Sequence, residues 1–580
     1  MQTVGAGCGA GAVGTELGIA TEVTGCVVAW CGKLDLADDR LKKHAREQGA
    51  AATIAAACRR SGAAFLEGLR GTFALAVIVP DEQRVLLAID RMGIRSLAYA
   101  LIPDGIAFAS NLDALLAHRA VPGEIDPQAI YNYLFCQMVP APGAIYKGVR
   151  KLLPGQYIEY RDGRITTGFY WQLRYQKETS EPTAVMAERF RGILRESVGS
   201  VSDEPQTGTF LSGGTDSSTV TGILSDLRRA PIDAYSIGFD AQGYDEMHYA
   251  RIAAQRYRVR HHEYYVTPKD VVEAIPLVAR AYDEPFGNAS AVPTYYCAKR
   301  AREDGILTML AGDGGDEILG GNERYAKQKI FEAYRAIPAA IRAGVIEPFS
   351  ARLPASLRFA FLRKFRSYVQ QARIPLPERL ESYNFLLREE PREIFQAGFL
   401  TAFDVAQPIQ IMREVFERTE SHHAIDRMMH LDLKQTLADN DLRKVNRMCH
   451  LAGVEVRYPF LEYEVVEFSG QIPARLKVRG LKLRHFFKYA LKDFLPPEII
   501  AKRKHGFGLP FGVWLVEHPA LHEVAGDSLQ AFRKRGYLRP EYIDQLLRRH
   551  DTEHASYYGV MVWVIMMLEH WLATHADRAR

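Results

Sequence analysis

Between Thr209 and Leu310 short apolar runs alternate with stretches of helical period, and this alternation restricts the fold more than any other feature of the chain. Thr209–Leu211 leads into a helical pattern over 217–228, with Val220, Ile223, Leu224 and Leu227 on one face. Ala234–Phe239 leads into a second over 246–257, His261–Val266 follows, and Ile306–Leu310 ends in a Gly/Asp loop. The β-α-β-α order predicts a doubly wound parallel sheet with ligands at the carboxyl ends of its strands. The turn after the first strand reads Leu211-Ser212-Gly213-Gly214-Thr215-Asp216-Ser217-Ser218. Strand, small-residue turn and helix together make a backbone cradle for phosphate. Gly213 and Gly214 admit an anion close to the main chain, the serines offer hydroxyls, and Asp216 offers a carboxylate to magnesium. No Gly-Lys-Ser/Thr follows, so this is not a Walker A loop. The plain alternative is a Ser/Gly surface turn ahead of a capped helix.

A second small-residue loop, Ala311-Gly312-Asp313-Gly314-Gly315-Asp316-Glu317, directly follows Ile306–Leu310. Alone it reads equally as a tight turn. One sheet away from the first loop, it reads as the other wall of a metal and nucleotide crevice, with Asp316 facing Asp216.

The remainder of the chain bounds the class. At 580 residues, 47% apolar and 24% charged, it holds several ordinary globular cores. The net charge of +4 (73 basic, 69 acidic) is too small and dispersed to point to nucleic acid. The locally basic Arg228-Arg229 and the stretch 356–367 read as solvated faces. Seven widely spaced cysteines with no C-x-x-C pair fit a reducing cytoplasm better than a disulfide framework or a zinc site. No window approaches 18 apolar residues, so no membrane association is expected. Strands dominate residues 1–120 (Phe73–Val79, Val85–Ile89, Gly105–Ser110), with one helix over Ala50–Arg60. A Pro/Gly-punctuated stretch and a polar linker over about 172–185 separate this block from the alternating one. From 325 to 575 the pattern is mostly helical.

Taken together, these motifs resemble the asparagine synthetase family. Ser236-Ile237-Gly238-Phe239 resembles the family strand whose backbone receives adenine, and Asp283-Glu284-Pro285-Phe286 the helix entry beside the nucleotide. Gly453-Val454-Glu455-Val456-Arg457-Tyr458-Pro459-Phe460-Leu461-Glu462 resembles its G-V-E-x-R-x-P-F-L-D segment; Lys482-x-Arg484 and Lys502-Arg503-Lys504-His505-Gly506-Phe507 match its C-terminal signature. The resemblance implies an ATP-dependent, magnesium-using ligase that forms an acyl-adenylate, releases pyrophosphate and joins the acyl group to an amine or ammonia. Carried over, Leu211, Ser212, Gly213, Gly214, Asp216, Ser217, Ile237, Ala311 and Gly312 bind ATP and pyrophosphate. Asp216 and Asp316 hold magnesium, and Asp441 and Lys444 belong to the carboxylate-substrate pocket. Asp313 stands where the family usually has Glu, or Tyr in β-lactam-forming relatives, and its carboxylate can take a proton from the attacking amine. Lys504 matches the lysine that stabilises developing charge; its plain alternative is a surface lysine in a basic run. Arg457 and Glu455 read equally as a structural ion pair.

The first half resembles the family's glutaminase but departs where chemistry would sit. Asp90-Arg91-Met92-Gly93-Ile94-Arg95-Ser96-Leu97-Ala98-Tyr99 resembles R-D-R-x-G-x-x-P-L-Y-Y, and Phe108-Ala109-Ser110-Asn111 resembles F-A-S-E. The family's glutaminase requires Cys after the initiator Met, because the free amino group serves as base for the thiol; residue 2 is Gln. The expected Asn-Gly-Glu loop reads Cys31-Gly32-Lys33, and the Asp expected before Gly-x-Phe-Ala is Arg70. The intervening segment is shortened by dozens of residues. Cys8-Gly9-Ala10-Gly11 resembles the nucleophile's context, exposed only if the chain is processed; otherwise Cys8 is a small hydrophobe.

The expected fold is therefore α/β and α+β. A degenerate Ntn-type glutaminase-like sandwich over 1–175 precedes an ATP-pyrophosphatase (adenine nucleotide alpha hydrolase-like) doubly wound parallel sheet with many helices over 185–575. The implied cofactors are ATP and Mg2+; the partners are small-molecule or peptide carboxylates and amines, with a homodimer or a pathway enzyme as the macromolecular candidates. Lasso-peptide cyclases and β-lactam synthetases are the relatives that also lost the glutaminase. Aspartate with ammonia, and a non-catalytic scaffold with a vestigial nucleotide site, are the alternatives.

Overall fold

The computed structural model describes residues 17–23, 25–202, 204–352, 360–502 and 508–577. The first half is antiparallel. Strands β1 (Leu17–Val23), β2 (Cys26–Leu36), β3 (Leu69–Val79), β4 (Arg84–Ile89), β8 (Gln156–Arg161) and β9 (Arg164–Phe169) form one six-stranded sheet in that order. Strands β6 (Gly105–Ala109), β5 (Ala98–Ile102) and β7 (Val149–Lys151) form a second. Period-two side-chain alternation lets β3 and β4 bury both faces. Ile78, Leu87 and Ile89 meet Tyr99 and Ile106 of the small sheet, while Leu75, Val77 and Leu86 pack under helix Ala50–Ser61. Helix Leu112–Leu116 lies against β5 and β6, and the outer-face residues Ala98, Ala100 and Ala107 join one apolar cluster with it and with helix Pro127–Cys136. This helix–sheet–sheet–helix layering is the expected sandwich.

The second half is built on β12 (Arg260–Val266), β11 (Asp233–Phe239), β10 (Thr207–Phe210), β13 (Thr308–Leu310) and β14 (Glu455–Arg457), all parallel and in that order. Helices Thr183–Ser200, Thr215–Leu227 and Met247–Tyr257 pack together along the sheet, and Ala291–Glu303 packs with Leu442–Ala452. The chain runs outward from β10 to β11 and β12, then returns to place β13 on β10's other side. The order reverses between β10 and β13, where a crevice opens at the carboxyl ends.

Three features differ from the sequence reading. Helix Asp39–Gln48 buries no residue and so lacks an apolar stripe, although Asp38 caps it through the Arg40 amide at 2.7 Å. β14 is three residues long, too short to display a period. The segment after 172 is anchored rather than loose: Leu173 is buried, and the Gln176 amide donates to Gly470 O at 2.8 Å. Among the described residues no helix is long and apolar enough to cross a membrane.

Candidate active site

The two small-residue loops leave neighbouring strands at the reversal point, so strand register brings them together. Thr209 pairs with Ala234 on one side and Leu310 on the other. Gly213 has φ +68°, and a Cβ there would lie 2.4 Å from Ala250 N. A Cβ on Gly312 would lie 2.8 Å from Ser217 N. Both positions require glycine for close backbone approach. Ser212 and Ser217 hydroxyls stand 3.0 Å apart, and the Ser212 amide donates to Ser217 Oγ at 3.1 Å. Helix Thr215–Leu227 starts at Gly214 with no side-chain cap among the described residues, leaving its first-turn amides to an anion.

Above the loops lies a cavity of about 990 Å³. Leu211, Ser212, Gly214, Asp216 and Ser217 line it from the first loop, and Ile237 from β11. Gly312, Asp313 and Asp316 line it from the second loop, and Asp441 and Lys444 from the opposite wall. Gly213 and Ala311 stand behind these; Ala311 is buried, its amide donating to Arg457 O at 2.9 Å. Lys504 and Cys8 lie outside the described residues.

Asp216 and Asp316 converge on a residue the motif reading left without a role. The Arg484 guanidinium bonds both carboxylates, and reaches Asp316 Oδ1 through Nε at 2.9 Å and Thr215 Oγ1 through Nη1 at 2.7 Å. Arg484 is buried with φ +53°, and its two anionic partners hold its pKa above the usual range. The pairing links residues 168 and 268 positions apart, a distance over which local pattern carries no signal.

Lys444 donates to Asp441 Oδ1 at 2.9 Å, and that carboxylate with Asp313 raises its pKa against the cost of burial. Burial lifts the Asp313 carboxyl to about 6, offset by the Lys444 charge. Lys502 also lines the cavity, its Nζ 3.3 Å from Gly213 O, 3.1 Å from Glu246 and 4.6 Å from the centre of the Tyr249 ring. It belongs to the basic run that drew attention to Lys504, and that run was its available signal. Arg457 and Glu455 are an ion pair at 2.8 Å, extended to Glu204 at 2.8 Å.

A π-helical stretch, Asp432–Asp441, connects this cavity with the antiparallel half. Thr436, Leu437 and Asp441 line the cavity. Lys434 donates to Arg91 O at 2.7 Å and Pro154 O at 3.2 Å, and Asp439 accepts from the Ala141 amide at 2.9 Å. Burial drops the Lys434 pKa to about 7.

The Asparagine synthase family profile matches residues 189–573, which carry every element of this cavity. The chain belongs to the asparagine synthase family. A second profile, the Glutamine amidotransferase domain, matches residues 35–171 of this asparagine synthase family member. Among similar proteins, asparagine synthetase (glutamine-hydrolyzing) 1 of Bacillus subtilis is 25% identical over 514 residues, 88% of this chain and 78% of that one. A putative asparagine synthetase (glutamine-hydrolyzing) of Mycobacterium tuberculosis is 27% identical over 498 residues, covering 83% and 74%. One from Methanocaldococcus jannaschii is 31% identical over 279 residues, covering 47% and 53%. Like the rest of the asparagine synthase family, the chain is an ATP-dependent enzyme that forms amide bonds.

Proposed function

We infer that the chain adenylates a carboxylate and transfers the acyl group to an amine that glutamine does not supply. The observation that carries the first part is the convergence, in one cavity at the strand-order reversal, of an uncapped helix start, two acidic loops and the Asp313–Asp441–Lys444 group. A substrate carboxylate oxygen attacks the α-phosphorus of ATP, and pyrophosphate leaves against the Thr215–Leu227 helix start. The amine nitrogen then attacks the acyl carbon, AMP departs with the carboxylate oxygen, and the amine proton passes to Asp313. Lys444 offers a buried cation to the incoming carboxylate.

The residues fit both implied cofactors. The close packing of the two loops at Gly213 and Gly312, where a Cβ would meet Ala250 N and Ser217 N, sets their backbone and the uncapped helix start beside the cavity, where phosphate would lie. For magnesium, the pairing of Asp216 and Asp316 with Arg484 brings two carboxylates from the two loops to one corner of the cavity. Among the described residues no group of three acidic, His or Cys side chains can hold a metal by itself. That suits magnesium, which takes one or two carboxylates and completes its shell with phosphates and water. Bound there, it would neutralise the leaving pyrophosphate.

The second part rests on the positions where the family's glutaminase presents Glu and Asp. Lys33 is exposed, and Arg70 is committed to Tyr463 across the interface between the two halves. Aspartate is the carboxylate favoured by the similarity to asparagine synthetases, and an amine carried by the substrate itself is the nitrogen source that needs no glutaminase. ATP–pyrophosphate exchange measured across a panel of carboxylic acids, followed by product analysis with ammonia, glutamine or amines, tests both parts. Exchange with no acid would overturn the adenylation; amide formation from glutamine would overturn the second part.

A further inference from the structure

Outside the cavity, one surface departs from ordinary polar exposure. Residues 339–352 form a helix in three stretches, Ala339–Ile341, a π-turn over Arg342–Ile346 and Glu347–Arg352. Ile341, Val345 and Phe349 are 49%, 64% and 53% exposed. They are spaced four apart through a widened turn, so they share one strip of the helix. Ala339, Ala340, Ala343 and Gly344 are exposed around them. The helix is held from behind by its own small core, Tyr334, Val369 and Ala372 with Ile346 and Phe365, so the strip is not left over from a missing interior.

The same lobe is strongly basic. From Arg335 to Arg373 the sequence has eight basic residues and one acidic residue, Glu347. The Phe349 ring lies 6.3 Å from Phe365, and exposed Arg363 and Lys364 directly precede Phe365. Among the described residues neither has an ion pair, nor do exposed Arg335 and Arg352. Glu347, the one acid, is paired with Arg373 at 3.4 Å.

Arg352, three residues beyond Phe349 in the same helix, continues the strip with an exposed cation in a basic lobe. An apolar strip so bordered fits an anionic bilayer surface, where the apolar groups enter the headgroup boundary and the cations of the lobe meet lipid phosphates. A second copy would set the same cations against each other across a two-fold axis. A nucleic acid would satisfy the cations and leave the strip in water. Peripheral docking of this kind needs no spanning helix. We propose that the 339–352 helix, with Arg363 and Lys364, docks the protein on an anionic phospholipid membrane. The sequence alone makes the stretch 356–367 a solvated basic face; the exposed strip on the neighbouring 339–352 helix is what changes that reading.

The test is co-sedimentation of the full chain with vesicles of phosphatidylcholine alone and with about 30% phosphatidylglycerol. Binding is expected to the anionic vesicles only, and to weaken about tenfold or more when salt rises from about 0.1 M to 0.5 M. Val345→Glu/Phe349→Glu and Arg363→Glu/Lys364→Glu should each weaken it about tenfold while the ATP-driven reaction proceeds unchanged. All four positions are exposed, so folding is not at stake. Equal binding to neutral vesicles, no binding to anionic ones, or variants that bind like the wild type would overturn the proposal. So would a dimer that the Val345→Glu/Phe349→Glu variant dissolves, with no vesicle binding.

Discussion

Arg70 rests its guanidinium carbon 3.7 Å from the centre of the Tyr463 ring, joining β3 of the antiparallel half to the first residue of helix Tyr463–Gln471. Arg91 lies over the same ring at 4.8 Å. Arg70 also donates to Glu67 O at 2.6 Å and Leu69 O at 2.9 Å. A position resembling one that grips substrate is thus occupied by a cation that ties the two halves together. Arg70→Asp, which restores the family's residue type, should cost about 1–2 kcal/mol. Differential scanning calorimetry should show a melting temperature a few degrees lower. Glutamine hydrolysis should not appear, and its appearance would show that Arg70 alone had blocked the pocket.

The cysteines carry the second prediction. Cys26, Cys58, Cys297 and Cys449 are buried, and burial pushes the Cys58 thiol up to about 11 and those of Cys136, Cys297 and Cys449 upward as well. The thiolate is the nucleophile, so Cys58, Cys136, Cys297 and Cys449 are held in the unreactive form. An alkylating glutamine analogue should leave all seven cysteines unmodified, as read by intact mass and peptide mapping, and glutamine should fail as nitrogen donor. An adduct on Cys8 in a chain processed to begin there would refute this.

Asp313 gives a pH dependence with a definite sign. Its carboxyl is raised to about 6, so the acceptor form is lost as pH falls through that value, and the amide-forming step should slow below about pH 6. Asp313→Asn should remove this acidic limb and cut turnover. Stability should move oppositely. A raised carboxyl pKa means that folding favours the protonated form, so its contribution is present below the unfolded value and lost as pH rises through about 6. Asp313→Asn should therefore raise the melting temperature above pH 6 more than at pH 4. An unchanged pH–rate profile in the variant would remove Asp313 from proton transfer.

Much of this site was legible because its parts are local. The runs Phe73–Val79 and Ala234–Phe239 fall inside β3 and β11, and the alternation around the two glycine loops correctly implied a parallel sheet. Asp216 and Asp316 could be matched because each lies a few residues beyond its strand. Arg484 was matched in the Lys482-x-Arg484 signature, but its hold on both carboxylates was not legible, because it follows from how distant helices pack and from a left-handed backbone turn at a non-glycine residue. The Asp432–Asp441 π-helix was hidden for a related reason. It presents residues to the cavity and to the antiparallel half alike, which erases the single apolar face that a sequence period reports.

The Arg484 clamp sharpens what removing a carboxylate should do. Asp216→Asn keeps the shape but weakens both its hold on magnesium and its pairing with Arg484, which retains Asp316. ATP–pyrophosphate exchange should fall by about 100-fold or more, with circular dichroism unchanged and a melting shift of only a few degrees. Retained exchange in the folded variant would remove Asp216 from the metal and phosphate role.

The two lysines of the C-terminal basic run should separate by kinetics. Lys502 holds the first loop in place through Gly213 O and Glu246, contacts made before any substrate charge develops. Its loss should act alike on ground state and transition state, so Lys502→Ala should raise the KM for ATP with kcat nearly kept. The role carried over for Lys504 is the opposite, a cation needed most as charge builds on the phosphates and the tetrahedral intermediate. Lys504→Ala should then cut kcat by about 100-fold or more while ATP affinity changes little. Steady-state kinetics on both variants, with ATP binding measured by calorimetry, decides between them. Equal losses of kcat and affinity in Lys504→Ala would reduce that residue to a binding contact, and a collapse of kcat in Lys502→Ala would move the catalytic cation two residues toward the amino terminus.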